Sequence, residues 1–399
     1  FPLGKNHENI SIINNNPKKP SKESLIKQAY DFHSQGNIQE AEKYYQQLIS
    51  QGFNDHRVFS NYGVILRDLG TLHEAEISFR KAIELKPDFA EAHFNLGNIL
   101  MDLGKREEAK SHWAQAVEIN PEEEKALIAL VHNLSYEQKY ELALKYLSKN
   151  QSNSSQSLYL GCLLSLDREK DFNEKYKELS QKQICNADVG SVIEHANIIY
   201  DNKYESPFCN EAIEYVFMDK IDEKSFSKNH LSELISYNKK SKKDNRAQSL
   251  LTNGIQTSGN LFSLEYPFIK AIKEALEIKI EKYKQRFKYS GQGFINNWPK
   301  KYELVAWMIS MKSGGFLSPH NHEYGWITGS FYLQVPKFPT NKNAGSLAFS
   351  YQGPRYPKKE KDFNLTLQKI ETRDICIFPS SLFHHTIPFE SSEERICFV

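Results

Sequence analysis

Residues 54–87 read NDHRVFSNYGVILRDLGTLHEAEISFRKAIELKP, and residues 88–121 read DFAEAHFNLGNILMDLGKREEAKSHWAQAVEINP. The two segments have the same length, 34 residues, and agree at small, aromatic and proline positions. The matched pairs are Gly63 and Gly97, Gly70 and Gly104, Ala75 and Ala109, Phe79 and Trp113, Ala82 and Ala116, and Pro87 and Pro121. Several independent positions that share one period indicate an internal repeat whose units stack on one another.

This 34-residue period resembles the tetratricopeptide repeat, in which each unit is a pair of antiparallel helices. The small residues allow close helix packing, and the proline ends the second helix. The resemblance implies three repeats at 22–55, 56–89 and 90–123, with a degenerate fourth at 124–157. A helical extension or linker is expected over 158–205, because a terminal repeat lacks a further neighbour and its pattern decays. The first half of the chain is therefore predicted to be an all-α solenoid.

Asn61 and Asn95 hold equivalent positions in the first helices of repeats two and three. In related repeats of the peptide O-glycosyltransferase type, an asparagine in this register binds the backbone of an extended chain. The resemblance therefore implies a peptide or protein partner in the repeat groove. A solvated polar face is the alternative, since Lys27 and Ala129 occupy the flanking positions.

The composition is that of a globular protein without a strong electrostatic bias. The 399 residues carry a net charge of +1, so no nucleic-acid or membrane partner is expected. The five cysteines include no CxxC pair, which argues against a cysteine zinc site and favours a reducing, cytoplasmic location. Residues 1–21 are expected to be a flexible leader.

The pattern changes in the last two hundred residues, with a predicted domain at 206–399. An amphipathic segment at 263–287 predicts one long helix. After Tyr302, short alternating or apolar runs are separated by Gly, Pro and Asn, which is typical of strands. Many short strands preceded by a helix predict an α+β domain built on a double-stranded β-helix, or jelly roll.

Histidines in this β region suggest a metal site. His320 and His322 lie in SPHNHEYGW, and residues i and i+2 of an extended segment point the same way. His384 could supply a third ligand from a facing strand, and three protein ligands with open positions suit non-haem Fe(II). Glu323 would point to the opposite side, so His322 is preferred, although the sequence leaves open which of the two completes the site.

The segments HNHEYGWITGSFYL (320–333), GSLAF (345–349), FPSSLFHHTIPFES (378–391) and EERICFV (393–399) resemble the prolyl-hydroxylase-like 2-oxoglutarate oxygenases. The resemblance is strongest to a bacterial and phage family that is often fused to tetratricopeptide repeats. It implies that His320 and His384 bind Fe(II), with His322 at the position where the wider superfamily has a carboxylate. It also implies that Arg395 and Tyr332 hold the far carboxylate of 2-oxoglutarate, and that Trp326 can wall the substrate pocket.

The sequence therefore predicts an Fe(II)- and 2-oxoglutarate-dependent dioxygenase that uses dioxygen to hydroxylate a peptide or protein side chain, presented with the help of the repeats. No catalytic side chain beyond the metal centre is predicted. Two alternatives remain open. One is a non-catalytic interaction protein whose jelly roll is a binding module. The other is a three-histidine dioxygenase without 2-oxoglutarate, which would have no obvious need for Arg395.

Overall fold

The computed structural model of the chain describes residues 21–35, 37–240, 250–257, 259–337, 342–354 and 356–399. The predicted flexible leader therefore lies outside the described residues, apart from Ser21. The chain divides into two compact units, one that ends at Leu130 and one that extends from Val131 to Val399. The boundary falls inside a helix, α7.

The first unit consists of helices that follow the predicted repeats. Each of the first three predicted repeats contains one helix pair, and the two helices of a pair are joined by a short turn. The helices are α1 (Lys22–Ser34), α2 (Ile38–Ser50), α3 (His56–Asp68), α4 (Leu72–Leu85), α5 (Ala90–Asp102), α6 (Arg106–Ile119) and α7 (Glu124–Tyr136). The predicted helical solenoid is confirmed.

The repeated small residues mark places where two helices touch. A Cβ atom on Gly63 would lie 2.8 Å from the ring of Phe79, and one on Gly97 would lie 2.5 Å from the ring of Trp113. Each glycine on the first helix of a repeat thus accommodates the aromatic ring of the second. Gly70 has φ +81° in the turn between α3 and α4, a conformation that favours glycine. The 34-residue period in the sequence therefore arises from helix contacts that recur in each repeat.

The second unit begins with helices and continues into two sheets. Its helices are α8 (Tyr140–Leu147), α9 (Asn153–Ser165), α10 (Glu169–Gln181), α11 (Ala187–Tyr200), α12 (Lys228–Lys240), α13 (Pro267–Phe287) and α14 (Gly293–Asn296). None of the helices in the described part of the chain is long and apolar enough to cross a membrane. Helices α8–α11 cover the second part of the predicted fourth repeat and the predicted helical extension, and they belong to the unit that contains the sheets.

Helix α11 is attached to the strand-bearing part of the unit by buried contacts. The imidazole of His195 is fully buried, and its Nε2 lies 2.8 Å from the carbonyl oxygen of Pro357. A Cβ atom on Gly190 would lie 3.0 Å from Cβ of Ser381, so a larger residue here would crowd this contact. Residue 206 remains our proposed start of the oxygenase-like sequence, although the compact unit begins earlier.

The strands form two antiparallel sheets. A six-stranded sheet has the order β1-β7-β4-β9-β3-β2, and a three-stranded sheet has the order β6-β5-β8. The strands are β1 (Phe217–Lys220), β2 (Leu251–Gln256), β3 (Met308–Leu317), β4 (Ile327–Gln334), β5 (Leu347–Ser350), β6 (Thr366–Gln368), β7 (Asp374–Pro379), β8 (Phe383–Thr386) and β9 (Arg395–Phe398). One hydrophobic core includes residues of both sheets and of α13. The predicted α+β, jelly-roll-like domain is confirmed.

A buried carboxyl group on α11 is expected to make the stability of the second unit depend on pH. Burial raises the pKa of Glu194 to about 7, although backbone N–H groups of Glu211 and Ala212 favour its ionised form. The folded state therefore holds this proton more tightly than the unfolded chain. Its contribution to stability is full at low pH and is lost as pH rises from about 4.5 to about 7.

We expect Glu194→Gln to stabilise the protein at pH 8 by about 3 kcal/mol and to have little effect at pH 4.5, because glutamine cannot ionise. Urea unfolding at both pH values measures the difference. Glu174→Gln, on the exposed face of α10, is the matched control and should change neither value. An equal effect of Glu194→Gln at both pH values would contradict the assignment.

Candidate metal centre

Two chain segments carry the candidate ligands, and backbone hydrogen bonds hold them side by side. The N–H of His320 donates to the carbonyl of His384 at 3.1 Å, and the N–H of His384 donates back at 2.9 Å. His320 follows β3, whereas His384 lies in β8, so this bridge connects the two sheets. The N–H of His322 donates to the carbonyl of Ser380 at 3.1 Å, which fixes the loop after His320 as well.

The three imidazole rings lie close together. Ring centroids of His320 and His384 are 4.3 Å apart, and His322 lies 5.2 Å from each of them. One nitrogen of each ring lies within 4.8 Å of the other two. Among the described residues, this is the only group of three or more His, Cys, Asp or Glu side chains with such spacing. The structure thus brings the three predicted ligands together.

Backbone carbonyls fix the orientation of two of the rings. Nδ1 of His320 lies 2.8 Å from the carbonyl oxygen of Ser318, and Nδ1 of His384 lies 3.2 Å from that of Leu382. A carbonyl can only accept, so each Nδ1 carries the hydrogen and each Nε2 keeps its lone pair. Nε2 of His322 is buried without a hydrogen-bond partner. These three imidazoles fit a divalent cation that takes nitrogen ligands.

The surroundings keep these histidines neutral. Burial lowers the pKa of His320 and lowers that of His384 well below the usual value. Burial, together with the neighbouring His320, lowers the pKa of His322 to about 3. Neutral imidazoles are the form that binds metal ions, so the group is ready to bind at physiological pH.

The side chains of Glu323 and His385, which are neighbours of the candidate ligands in sequence, do not belong to the three-histidine group. Oε2 of Glu323 lies 3.3 Å from Nε2 of His132, on α7, and Glu323 is not part of the three-histidine group. His385 is adjacent to His384 in β8, and successive residues of a strand project to opposite faces. The geometry therefore favours His322 over Glu323 as the third ligand, in line with the strand-direction argument from the sequence.

Arg395 is a buried cation in the same region. Its side chain is only 2% exposed, and its guanidinium lies 5.0 Å above the ring of Tyr332, which is also buried. Nη1 lies 3.4 Å from Oγ1 of Thr386, and Nε has no hydrogen-bond partner. Thr386 is two residues after His384, so both side chains project from the same face of β8.

A buried charge is costly unless an opposite charge or hydrogen bonds compensate it. No carboxylate in the described part of the chain forms an ion pair with Arg395. A planar guanidinium beside a metal-binding group can hold a carboxylate with two parallel hydrogen bonds. Arg395 therefore fits the far carboxylate of a dicarboxylic cosubstrate. The sequence did not single out Thr386, although its i+2 spacing from His384 would have placed it on the same face.

A cavity of about 750 Å³ lies against the face of the six-stranded sheet that is opposite to the side chain of Tyr332. Alternate strand residues line it, including Phe331, Ile375, Ile377 and Phe398. Tyr332 is adjacent to Phe331 in β4, so it projects to the opposite face. Arg395 is not among the residues that line this cavity, whereas His322 of the three-histidine group is.

The predicted substrate residue Trp326 lines this cavity and is anchored in the core. Its indole N–H donates to the carbonyl of Phe294 at 2.7 Å, and its ring packs edge-on against Phe208 at 5.3 Å. These contacts fix the end of the loop that carries His322. A role of Trp326 in substrate binding remains a prediction.

The two predicted asparagines of the repeats differ in their surroundings. Asn61 lines a groove of about 530 Å³ together with Tyr30, Arg57 and Phe89. Asn95 is only 8% exposed and is not among the residues that line this groove. Asn61 is thus the better placed of the two to reach a bound chain, and the role of both remains a prediction.

Comparisons with known proteins agree with this architecture. Residues 305–399 match a family model described as "Putative 2OG-Fe(II) oxygenase". Residues 23–51, 63–104 and 90–123 match models of tetratricopeptide repeats. The chain therefore carries tetratricopeptide repeats followed by a C-terminal 2OG-Fe(II) oxygenase-family segment, which contains the three histidines and Arg395. The predicted resemblance is confirmed.

Solved structures similar to this chain include several tetratricopeptide-repeat proteins. Pseudomonas aeruginosa pilF is 19% identical, with 41% of this chain and 77% of that chain covered and a TM-score of 0.35. A tetratricopeptide repeat protein from Parabacteroides merdae is 20% identical, with 45% and 73% covered and a TM-score of 0.38. The first repeat domain of Spaghetti (RPAP3), bound to an HSP90 peptide, is 21% identical, with 28% and 89% covered and a TM-score of 0.27. No curated protein sequence matches the chain.

Proposed function

We propose that this protein is an Fe(II)- and 2-oxoglutarate-dependent dioxygenase that hydroxylates a peptide or protein side chain. The observation that supports it most directly is the three-histidine group, whose ligand atoms lie within 4.8 Å of one another. The buried Arg395, which lacks a carboxylate partner among the described residues, supports the choice of cosubstrate.

In the proposed site, His320, His322 and His384 hold the metal ion, and Arg395 and Tyr332 hold the cosubstrate. Iron with 2-oxoglutarate and dioxygen supplies oxidising power sufficient for a C–H bond. The carbonyls of Ser318 and Leu382 orient two of the imidazoles through their Nδ1–H groups. Arg395 binds the distal carboxylate through its guanidinium and thereby sets the direction of the cosubstrate. The buried walls exclude water from the reacting groups.

The proposal is tested by loading the protein with Fe(II) without oxygen and then adding 2-oxoglutarate and air. We expect succinate to form and to increase when a suitable peptide is present. Metal binding without succinate formation, across a panel of peptides and cell lysate, would favour the non-catalytic interaction protein. Metal-dependent oxygen consumption without 2-oxoglutarate would favour the three-histidine dioxygenase of another type, for which Arg395 has no clear use.

We further propose that the repeat groove binds a peptide or protein substrate without taking part in the chemistry. The groove beside Asn61 contains aromatic, charged and amide side chains, which suit the backbone and side chains of an extended peptide. None of the five cysteines, all of which lie in the described part of the chain, forms a disulfide, which supports a reducing compartment such as the cytoplasm.

Replacing both Asn61 and Asn95 by alanine is expected to raise the KM for a long peptide substrate by about tenfold, with kcat nearly unchanged. This pattern is the sign of lost binding that is equal in the ground state and the transition state. Steady-state kinetics with long and short peptides measure it, and the short peptide should be unaffected. His73→Ala is the control, because His73 is exposed. Asn98→Ala would be unsuitable, because Asn98 accepts a hydrogen bond from the indole N–H of Trp113. A fall in kcat would contradict this division of roles.

A further inference from the structure

The loop that carries His322 has a polar contact with a helix far away in the chain. Nε2 of His132, on α7, lies 3.3 Å from Oε2 of Glu323. Both residues belong to the unit that extends from Val131 to Val399. Glu323 directly follows His322, so a restraint on its side chain acts on the backbone that orients the His322 ring.

This contact is sheltered from solvent. The side chain of Glu323 is 16% exposed and that of His132 is 32% exposed. Nε2 of His132 is itself buried and makes no hydrogen bond to any described residue, so the Glu323 carboxylate is the polar group that it faces. A polar contact at such a site is screened less by water than one between fully exposed side chains.

The backbone around Glu323 forms a tight turn. The N–H of Gly325 donates to the carbonyl of His322 at 2.9 Å, which closes the turn with Glu323 inside it. On the other side, the N–H of His322 is held by Ser380. Nδ1 of His320 and Nδ1 of His384 each lie within hydrogen-bond distance of a carbonyl oxygen, and Nε2 of His322 is buried without a hydrogen-bond partner. The turn at Glu323 and the bond to Ser380 therefore set the backbone from which the His322 ring projects.

We propose that His132 is a positioning residue for the metal centre: it holds Glu323, and thereby fixes the turn that directs the His322 ring towards His320 and His384. The inference rests on the proposed function, because it concerns the affinity of that metal site. It adds a helix outside the oxygenase-family segment to the parts of the chain on which metal binding depends.

The test uses Co(II), which replaces Fe(II) and is followed by its visible absorption, with the full chain and without cosubstrate. We expect His132→Ala to weaken Co(II) binding by about three- to tenfold, less than the loss expected for groups bonded directly to a ligand. Glu323→Gln should weaken it by a similar factor. The double variant should be no weaker than either single variant, because both remove the same contact.

Conservative and matched variants keep the test decisive. His132→Gln keeps a polar N–H group facing Glu323 and should recover most of the affinity. Thermal unfolding of each apo variant separates loss of folding from loss of metal binding. His73→Ala, an exposed histidine on α4, should bind Co(II) as the wild type does. The inference would be overturned if His132→Ala bound Co(II) as tightly as the wild type, or if the losses in the double variant added up. It would also be overturned if His132→Ala bound Co(II) more tightly and Glu323→Gln reversed that gain. Absence of Co(II) binding by the wild type would instead overturn the proposed function.

Discussion

His384→Ala is expected to weaken Fe(II) binding by more than 100-fold and to abolish 2-oxoglutarate turnover. His384 is buried, and its ring lies within 5.2 Å of both other histidines, so its loss removes one of three ligands. Loss of a group that merely supports a ligand already costs about 10- to 100-fold, and loss of the ligand itself should cost more. Isothermal titration with Fe(II) under anaerobic conditions measures the affinity.

The neighbouring histidine gives a matched control. His385→Ala removes an imidazole from the opposite face of the same strand, and metal binding should remain within about threefold of the wild type. His384→Gln keeps most of the buried volume and should lose metal binding as well, which separates ligand loss from a packing defect. Retention of tight Fe(II) binding by a folded His384→Gln variant would show that the metal centre lies elsewhere.

The same measurement discriminates between His322 and Glu323. His322→Asp recreates the two-histidine, one-carboxylate set of the wider oxygenase superfamily, and we expect it to retain metal and some turnover. His322→Ala should weaken metal binding by about tenfold or more, because a protein ligand is replaced by water. If Glu323→Ala rather than His322→Ala removed the metal, the third ligand would be the carboxylate.

Arg395→Met is expected to weaken 2-oxoglutarate binding by about 100-fold or more while Fe(II) binding stays intact. Loss of one partner from a buried, hydrogen-bonded charge pair typically costs 2–5 kcal/mol, and about 1.4 kcal/mol corresponds to tenfold in affinity. Arg395→Lys should be intermediate, because lysine keeps the charge but lacks the planar fork. Titration of the metal-loaded protein with 2-oxoglutarate measures both effects.

Thermal unfolding provides a second readout for Arg395. Without cosubstrate, Arg395→Met should be at least as stable as the wild type, because it removes a buried cation that has no carboxylate partner among the described residues. With 2-oxoglutarate in large excess, only the wild type should be stabilised, by about 2.7 kcal/mol at 100 times the dissociation constant. The exposed Arg286→Met, on α13, should respond as the wild type does. If 2-oxoglutarate stabilised Arg395→Met and the wild type equally, Arg395 would have no role in binding it.

The local parts of the structure were predictable from the sequence because they depend on short-range periodicity. The 34-residue period predicted the helix pairs, since Gly63 and Phe79 recur as Gly97 and Trp113 at the same helix contacts. The His-x-His spacing predicted that His320 and His322 lie together, because side chains two residues apart project from the same face of an extended chain. Both inferences need only the geometry of neighbouring residues.

The attachment of the linker helices was not predictable in this way. The sequence indicated a boundary near residue 206, where the helical pattern gives way to strands. The structure places α8–α11 with the sheets, because His195 and Gly190 pack against Pro357 and Ser381. Nothing in the local pattern of α11 indicates which surface will bury it, since that depends on residues more than 150 positions further along the chain.

The sequence by itself determined the classes of structure and the types of ligand: helical repeats, a double sheet, and three histidines with one arginine. The tertiary structure decided how they meet. The β-bridge between His320 and His384 brings the third histidine into place, and His132 faces Glu323, outside the three-histidine group. Burial leaves Arg395 without a carboxylate partner in the described chain, although Glu393 and Glu394 are its neighbours in sequence. The physical reason is that periodicity and backbone sterics act over a few residues, whereas charge pairing and burial depend on which distant surfaces pack together.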